Sequence, residues 1–465
     1  MPDASIPRAS IARTALAYGA MTGGGILLFL WIRQHGSGLA APLPAGAPLF
    51  GASKGGPHVD NLLHVLLALL AIIVAARIVG FLFRRLRQPP VIGEVVAGIL
   101  LGPSLLGRIA PDAYAFLLPP TVAPYLQVIA QVGVILYMFL VGLELNPAHI
   151  RRSPHTALAI SHASILVPFL LGSLLALGLY PRLATSDVPF TAFALFLGVS
   201  MSVTAFPVLA RILTDRRMQA TPLGVMALTC AAVDDVTAWC LLAFLVGVVQ
   251  ARGAGAWGTV ALTVLVIAAV LLVLRPILAR VGRRVEQRAE GVSSATLAFV
   301  FVLLLGSALA TESIGIHALF GAFLVGAVVP HDGRLARELR QRLEDVVVVL
   351  LLPAFFAFSG MRTQIQLVRG AEAWLWCGLI VLVACAGKFG GSTLAARLTG
   401  QSWRDSAALG VLMNTRGLVE LIVLNVGLDL GVISPTLFAM LVIMALATTF
   451  ATAPLLDRIV PRGST

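Results

Sequence analysis

The chain alternates between long apolar runs and short polar connections over almost its whole length. Fourteen of the apolar runs are long enough to cross a hydrocarbon core of about 30 Å as helices. They occupy residues 14–32, 61–83, 91–108, 125–145, 155–180, 189–211, 222–249, 257–279, 292–310, 315–330, 346–361, 371–394, 405–428 and 435–456. No connection between them is long enough to form a soluble domain. The pattern predicts an all-α, polytopic membrane protein.

Composition and charge agree with this prediction. Of the 465 residues, 58% are hydrophobic and 12% are charged, which excludes an ordinary soluble protein. The net charge of +12 does not indicate a nucleic-acid partner, because the 33 basic residues lie in short clusters between apolar runs. If the N-terminus is cytoplasmic, 22 of the 33 fall in cytoplasmic connections and seven, including Arg362, fall in outer connections. We therefore expect lipid contact in a cell inner (plasma) membrane, with the C-terminus also cytoplasmic.

Three regions can be distinguished along the chain. Residues 1–60 hold the first apolar run and a linker; arginines before this run and small residues after it also fit a signal peptide, but a retained helix is favoured. Residues 61–456 form the main transmembrane domain. Residues 457–465 form a short cytoplasmic tail. Whether the first run is retained or cleaved leaves the orientation of the other thirteen unchanged.

Part of the transmembrane domain is repeated. LGVSM at 197–201 matches LGVLM at 409–413, which is 212 residues further along, and neighbouring spans give similar offsets. Five consecutive spans, 91–249, therefore recur as 315–456. Counting crossings places the two copies in opposite orientations. Inverted repeats of this kind are typical of secondary transporters that bind substrate near the membrane midplane between interrupted helices.

Both copies carry residues that interrupt a helix at the same depth. The first has SVTAFP, with Ser202, Thr204 and Pro207 in the middle of a span. Proline removes a backbone donor, and hydroxyl groups can replace the lost hydrogen bond. The second copy has NTRG, whose members are Asn414, Thr415, Arg416 and Gly417. Kinked but continuous helices are the alternative.

Charged residues within the spans are the strongest indication of a site. Asp234 and Asp235 lie in the middle of span 222–249, where charge is expensive and usually functional. Adjacent helical residues point about 100° apart, so one carboxylate can face a cation path while the other pairs with a base. Lys388 is the only lysine within a span and is the expected partner. A purely structural ion pair between two helices is the alternative.

Two further charged pairs have less certain roles. Arg416 and Glu420 are spaced i, i+4 and can neutralise each other on one helix face, so a structural bridge and a transport role are both open. Glu312 and His317 flank the start of span 315–330, where a histidine could sense pH or simply be satisfied at a helix start.

The chain contains neither a His/Cys metal cluster nor a nucleophile elbow or phosphate loop, so we expect no enzyme activity and no cofactor. A secondary transporter is favoured. A proton-uncoupled cation channel and a non-transporting cation sensor are the alternatives.

Several stretches in order resemble the monovalent cation/proton antiporter superfamily, in the branch that contains plant cation/proton exchangers, bacterial potassium-efflux systems and bacterial Na⁺(K⁺)/H⁺ antiporters. The resemblance covers about residues 61–456. The matching stretches are QPPVIGEVVAGILLGPSLLG, FLVGLELN, SVTAFPVLARIL, AAVDDVTAW, IGIHALFGAFLVGAVVP, LLPAFFAFSGMRT, GKFGG and NTRGLVELIVLNVG.

The resemblance implies a homodimeric, 13-helix sodium/proton antiporter fold with two crossed interrupted helices. It implies exchange of Na⁺ or K⁺ for protons, with Asp235 as the carboxylate that binds either a cation or protons. Asp234 and Lys388 match the preceding position and its basic partner, Ser202, Thr204 and Pro207 match the first crossover, and Thr415, Arg416 and Glu420 lie in the second. The choice between Na⁺ and K⁺, the stoichiometry and the pH optimum stay open at this point.

Overall fold

A computed structural model describes the chain over residues 8–39, 61–86, 88–144, 154–185, 188–219, 221–250, 256–288, 291–314, 317–331 and 333–460. The regular elements in these ranges are all helical. The α-helices are α1 Arg8–Gly36, α2 Asn61–Arg85, α3 Pro90–Leu101, α4 Leu106–Ile109, α5 Pro111–Leu117, α6 Ala123–Glu144, α7 Pro154–Leu183, α8 Phe190–Ser202, α9 Phe206–Asp215, α10 Pro222–Gln250, α11 Ala256–Ala269, α12 Arg275–Glu286, α13 Ser294–Ser313, α14 Ala318–Val328, α15 Arg334–Val346, α16 Leu352–Arg362, α17 Gly370–Cys385, α18 Gly391–Leu398, α19 Trp403–Met413, α20 Leu418–Asp429 and α21 Pro435–Ile459. Most of the predicted linker, residues 40–60, and the tail beyond 460 lie outside the described ranges.

The predicted spans from 61 to 456 each coincide with a helix or a pair of helices. Within the described residues, ten helical stretches are long and apolar enough to cross a membrane, and two shorter apolar helices are α8 and α14. The all-α membrane architecture predicted from the apolar pattern is therefore present.

Some connections predicted as polar loops are helical instead. The segment before span 346–361 forms the amphipathic α15, which continues through a π-helical turn, Val347–Leu351, into α16. The span 257–279 likewise runs on to Glu286 through a π-turn at Val270–Leu274. The apolar pattern marks only the part of each helix in the hydrocarbon, so a polar extension of the same helix carries no hydrophobic signal.

Close helix crossings join the two predicted repeats. Gly98 of α3 packs on α16, where a Cβ at Gly360 would lie 2.9 Å from the Gly98 carbonyl carbon. Gly142 of α6 packs on α14, where a Cβ at Gly142 would lie 2.9 Å from the Gly326 Cα. The first element of each repeat thus crosses the second element of the other copy at a pair of glycines. Small residues permit this backbone approach between membrane helices.

Two helices are interrupted at the predicted positions. α8 ends at Ser202 and α9 begins at Phe206, and α19 ends at Met413 and α20 begins at Leu418. The two breaks touch, because the Ala205 backbone N–H donates to the Thr415 carbonyl over 3.0 Å. α10 and α21 pack beside the first and the second interrupted helix, respectively. The Thr204 and Thr415 side chains at this crossover are fully buried.

The first helix, α1, packs on α7 and α8. The Phe29 and Phe169 rings have centroids 5.8 Å apart, and Ile32 is fully buried. Its retention in the mature protein stays a prediction.

Candidate functional site

Asp234 lies on α10 beside the first break, and its carboxylate is saturated with donors. Ser161 Oγ donates to Oδ1 over 2.5 Å. Ser164 Oγ and Thr204 Oγ1 donate to Oδ2 over 2.8 and 2.6 Å, and Lys388 Nζ reaches Oδ2 at 3.1 Å. Asp234 is fully buried. Because charge-assisted hydrogen bonds are stronger than neutral ones, four donors offset much of the cost of burying this carboxylate.

Lys388 also has a full set of hydrogen-bond partners. Its ammonium donates to the Ser202 carbonyl over 2.5 Å and to the Ser164 carbonyl and hydroxyl over 3.1 and 2.9 Å, in addition to Asp234. The side chain is fully buried. An ammonium has three protons to donate, so these oxygens use its whole capacity. Lys388 therefore ties α7, the end of α8 and α10 together at one point.

Glycines around Lys388 explain how its helix comes so close to α7. Lys388 lies in the π-helical turn Ala386–Gly390 that joins α17 to α18. A Cβ at Gly387 would lie 2.8 Å from the Pro168 Cα, and one at Gly391 would lie 3.0 Å from the Ala163 carbonyl. A π-turn inserts one residue into a helix and is frequent at functional sites. The stretch GKFGG therefore places a lysine on a helix that α7 can approach closely.

Asp235, one residue further along α10, has a different environment. Its side chain is 2% exposed, yet its Oδ1 has no hydrogen-bond partner among the described residues. The backbone N–H of Phe206, the first residue of α9, donates to the carboxylate. The N-terminus of a helix carries a partial positive charge that favours an anion there. Asp235 is thus a buried carboxylate with free acceptor capacity at the crossover.

Arg416 and Glu420 form a fully buried ion pair in the second break. Arg416 Nη1 donates to Glu420 Oε2 over 2.6 Å and to the Ser200 carbonyl over 3.0 Å, and Nη2 donates to the Met201 carbonyl over 2.6 Å. The Arg416 backbone is fixed by Thr449, which exchanges two hydrogen bonds with it. Arg416 therefore satisfies carbonyls that α8 leaves unpaired where it ends.

Both basic side chains act on the same helix end. Lys388 meets the Ser202 carbonyl, and Arg416 meets the carbonyls of Ser200 and Met201. The C-terminus of a helix carries a partial negative charge, which cations stabilise. Lys388 and Arg416 therefore both stabilise the end of α8 at the break between α8 and α9. Asp234 and Glu420 are their counter-charges.

The three residues predicted at the first break, Ser202, Thr204 and Pro207, differ in how they contribute to the site. The Ser202 hydroxyl donates to the Val199 carbonyl of its own helix, so only its backbone carbonyl faces the site. Thr204 Oγ1 donates to Asp234 and also lies 3.3 Å from the Met413 carbonyl. Pro207 is in the first turn of α9 rather than in the gap, and its side chain lies outside the described part of the structure.

Asn414, Thr415 and Gly417 form the second gap. Asn414 Nδ2 contacts Cys385 Sγ at 3.4 Å, while Asn414 Oδ1 and Thr415 Oγ1 are buried without a partner among the described residues. A Cβ at Gly417 would lie 2.7 Å from Val208 Cγ2, so glycine permits the two breaks to cross closely.

Glu312 and His317 lie away from this crossover. Glu312 Oε2 accepts from the Ala318 backbone N–H over 2.8 Å and so caps the start of α14. His317 is the residue before α14, and its Nδ1 is buried without a hydrogen-bond partner in the described ranges. The structure does not bring either residue to Asp235.

Sequence reasoning missed the buried contacts of three polar residues. Ser161 and Ser164 both donate to Asp234; their i, i+3 spacing in the middle of span 155–180 is a signal that could have found them.

Arg362, predicted in an outer connection, is 92% buried, and donates to Asn425 Oδ1 over 3.0 Å and Asp429 Oδ1 over 2.7 Å. Asn425 in turn donates to Ser359 Oγ over 2.7 Å.

The site offers oxygen ligands that suit a hard monovalent cation. Among the described residues, Asp235 Oδ1, Asn414 Oδ1, Thr415 Oγ1 and Glu420 Oε1 are buried side-chain oxygens at the two breaks that have no hydrogen-bond partner. The gap residues also have backbone carbonyls outside regular helices. Partly dehydrated cations are bound by such carboxylate and carbonyl oxygens in membrane proteins. The chemistry that this arrangement supports is reversible cation binding to a buried carboxylate.

Comparisons with known proteins give a consistent result. Residues 66–458 match the family described as "Sodium/hydrogen exchanger, transmembrane". The chain is 45% identical over 405 residues to the Na⁺/H⁺ antiporter NhaS4 of Synechocystis, covering 86% of this chain and 98% of that protein.

Plant and fungal relatives are longer. The chain is 42% identical over 420 residues to cation/H⁺ antiporter 20 of Arabidopsis thaliana, covering 87% of this chain and 50% of that protein. It is 36% identical over 400 residues to K⁺/H⁺ antiporter 1 of Saccharomyces cerevisiae, covering 84% and 46%. The chain spans about half the length of these two relatives.

A solved structure shares the fold. The sodium proton antiporter MjNhaP1 from Methanocaldococcus jannaschii superposes with a TM-score of 0.57 at 15% identity, over 85% of this chain and 96% of that one. The predicted sodium/proton antiporter fold is thereby confirmed, whereas the predicted number of 13 helices stays a prediction.

Proposed function

The chain belongs to the sodium/hydrogen exchanger family and is a cation/proton antiporter, and from this premise we propose that Asp235 is the carboxylate on which proton and cation compete. The observation that carries the proposal is the contrast between the two neighbouring aspartates. Asp234 accepts four hydrogen bonds, whereas Asp235 Oδ1 accepts none from the described residues. Only the second carboxylate has an oxygen to offer to a changing ligand.

Binding at Asp235 is aided by the two breaks. The N-terminus of α9 stabilises the ionised carboxylate. We expect the unpartnered Asn414 and Thr415 oxygens of the second break to contribute ligands to a cation that has lost part of its water. Protonation neutralises the same carboxylate and expels the cation. Because an uncompensated charge is costly in the membrane, the empty, ionised site rarely crosses, and exchange is obligatory.

Asp234 and Lys388 have a supporting role in this scheme. Their ion pair fixes α10 against α7 and the end of α8, so that Asp235 keeps its position during the cycle. Whether Lys388 releases a proton when a cation binds decides whether the exchange moves net charge. Arg416 and Glu420 hold the second break in the same way.

Alternating access requires one group of helices to move against another. We assign the moving group to α7–α10 and α17–α21, which surround the crossover, and the supporting group to the remaining helices of residues 61–456. The supporting group contains the close glycine crossings of α3 with α16 and of α6 with α14. We further propose that two copies assemble through the supporting group in the plasma membrane. The distribution of arginine supports a cytoplasmic C-terminus.

The transported cation is Na⁺ or K⁺. The cyanobacterial relative is named a Na⁺/H⁺ antiporter and the yeast relative a K⁺/H⁺ antiporter, so both ions are candidates for this chain. Selectivity between them depends on the size and ligand field of the cavity at Asp235.

Reconstitution into liposomes tests the proposal. A pH gradient is imposed, Na⁺, K⁺ or Li⁺ is added in turn, and internal pH and membrane potential are followed. Asp235→Asn should abolish the cation-evoked proton movement, whereas Asp112→Asn, which neutralises an exposed carboxylate on α5, should leave it unchanged. Retained exchange in Asp235→Asn would overturn the site assignment, and cation flux without proton movement in the unmodified chain would favour a channel.

A further inference from the structure

A cavity of about 400 Å³ lies between α12 and the start of α13, far along the chain from the crossover. Its polar side is formed by Arg280, Arg284 and Arg288, and Ser293 and Thr296 lie opposite. Its apolar side includes Ile277 and Phe299. Neither the sequence pattern nor the transport cycle assigns a role to it.

The arginines form one face with uncompensated charge. Their i, i+4, i+8 spacing places them in a row along the helix and its end, and all three are exposed. Within the described ranges, no acidic side chain forms an ion pair with any of them. Three positive charges around one cavity therefore favour an anionic ligand.

Two acidic side chains on the helices around the cavity, Glu286 and Glu338, accept hydrogen bonds from other groups. Glu286 accepts a hydrogen bond from the Arg334 backbone N–H. Glu338 accepts from the Val292 backbone N–H over 2.8 Å and from Arg334 Nε over 2.6 Å. These contacts hold α15 against the loop before α13 and engage both acidic groups with partners other than the three arginines.

The apolar wall indicates what kind of anion fits. Phe299 and Ile277 line the apolar side of the cavity. The same helical stretches carry strongly exposed apolar side chains, such as Leu272, which is 75% exposed, and Val302, which is 66% exposed. Exposed apolar side chains on membrane helices contact lipid acyl chains. The cavity therefore joins a basic end to a lipid-facing surface, as in basic pockets that bind phospholipid head groups.

We propose that this cavity binds an anionic phospholipid, with its phosphate against Arg280, Arg284 and Arg288 and an acyl chain along Ile277 and Phe299. A free phosphate would use the arginines but not the apolar wall. The bound lipid would fasten the helices that link the two repeats to one leaflet of the membrane.

Native mass spectrometry of the delipidated full chain in detergent tests this. The protein is titrated with phosphatidylglycerol or with phosphatidylcholine of the same acyl composition, and bound lipid is counted. Arg280→Gln/Arg284→Gln removes two charges of the cavity. Arg84→Gln/Arg85→Gln removes two exposed charges at the end of α2 and is the matched control. Ala295→Trp fills the cavity and keeps every arginine.

We expect the unmodified chain and the control to prefer phosphatidylglycerol. The affinity of Arg280→Gln/Arg284→Gln should be roughly 10- to 30-fold lower, since each basic residue near a membrane surface contributes about one factor of five. Ala295→Trp should also bind more weakly, and this variant decides the matter if the arginine variant does not fold. Equal loss in the control, absence of any preference for phosphatidylglycerol, or complete displacement by soluble glycerol 3-phosphate would each overturn the proposal.

Discussion

Lys388 Nζ lies 3.1 Å from Asp234 Oδ2, and both side chains are fully buried. This pairing separates the two adjacent aspartates, because Asp234 becomes part of a closed network with Lys388, Ser161 and Ser164. Of the two aspartates, Asp235 is the one with a carboxylate oxygen that has no hydrogen-bond partner among the described residues. The arrangement lets one span carry both a fixed charge and an exchangeable one.

The first prediction concerns this ion pair. Asp234→Asn and Lys388→Met should each destabilise the protein by about 3 kcal/mol, because each leaves one buried charge without its partner. The double variant Asp234→Asn/Lys388→Met removes both charges and should be more stable than the sum of the single effects predicts. Thermal unfolding in detergent measures the three variants. Strict additivity of the two single effects would contradict the proposed coupling.

A second prediction distinguishes the two partners in the second break. Arg416→Met removes the counter-charge of Glu420 and also leaves the Ser200 and Met201 carbonyls without a donor. Glu420→Gln leaves both carbonyl contacts in place. Arg416→Met should therefore lower the unfolding temperature clearly more than Glu420→Gln does. Equal effects of the two variants would show that the carbonyl contacts contribute little.

The third prediction concerns the serines that the sequence did not single out. Ser161→Ala or Ser164→Ala removes a donor to the Asp234 carboxylate and should cost about 1.5–3 kcal/mol of stability, as for hydrogen bonds to charged groups. Ser173→Ala is the control, since the Ser173 hydroxyl is equally buried but donates only to the Ala194 carbonyl. Unfolding of the three variants gives the comparison. If Ser173→Ala costs as much as the other two, the charge of Asp234 is not what these hydroxyls stabilise.

Local sequence predicted the two breaks and one buried ion pair. The breaks were predicted because Pro207 and Gly417 disfavour a continuous helix. The role of Asp235 stays a prediction, and it rests on a carboxylate being conspicuous within an apolar span. The pair of Arg416 with Glu420 follows from i, i+4 spacing alone. Each of these signals depends on residues that are close in the chain.

The parts of the site that the sequence did not predict depend on contacts between residues that are far apart in the chain. Ser161 meets Asp234 across 73 positions, and Arg362 meets Asp429 across 67. The i, i+3 spacing of the serines marks one face of a helix, but no local pattern reveals which partner either residue meets. Arg362 was placed in an outer connection because it follows an apolar run, whereas the fold buries it against Asn425. Serine in a membrane helix usually bonds its own backbone, which makes a functional serine hard to recognise.

The last prediction tests the glycine crossings between the repeats. A Cβ at Gly360 would lie 2.8 Å from the Ile99 backbone nitrogen and 2.9 Å from the Gly98 carbonyl carbon, so only a backbone shift can accommodate it. Gly360→Ala should therefore separate α3 from α16 and destabilise the protein by about 1–3 kcal/mol, as overpacking does. Gly378→Ala on α17 is the matched control, because a Cβ there meets no atom within 4 Å, and it should be neutral or slightly stabilising. Thermal unfolding of both variants measures the difference. If Gly360→Ala unfolds at the same temperature as Gly378→Ala, the close crossing does not constrain the supporting helices, and their proposed role as the fixed group in the transport cycle loses its structural basis.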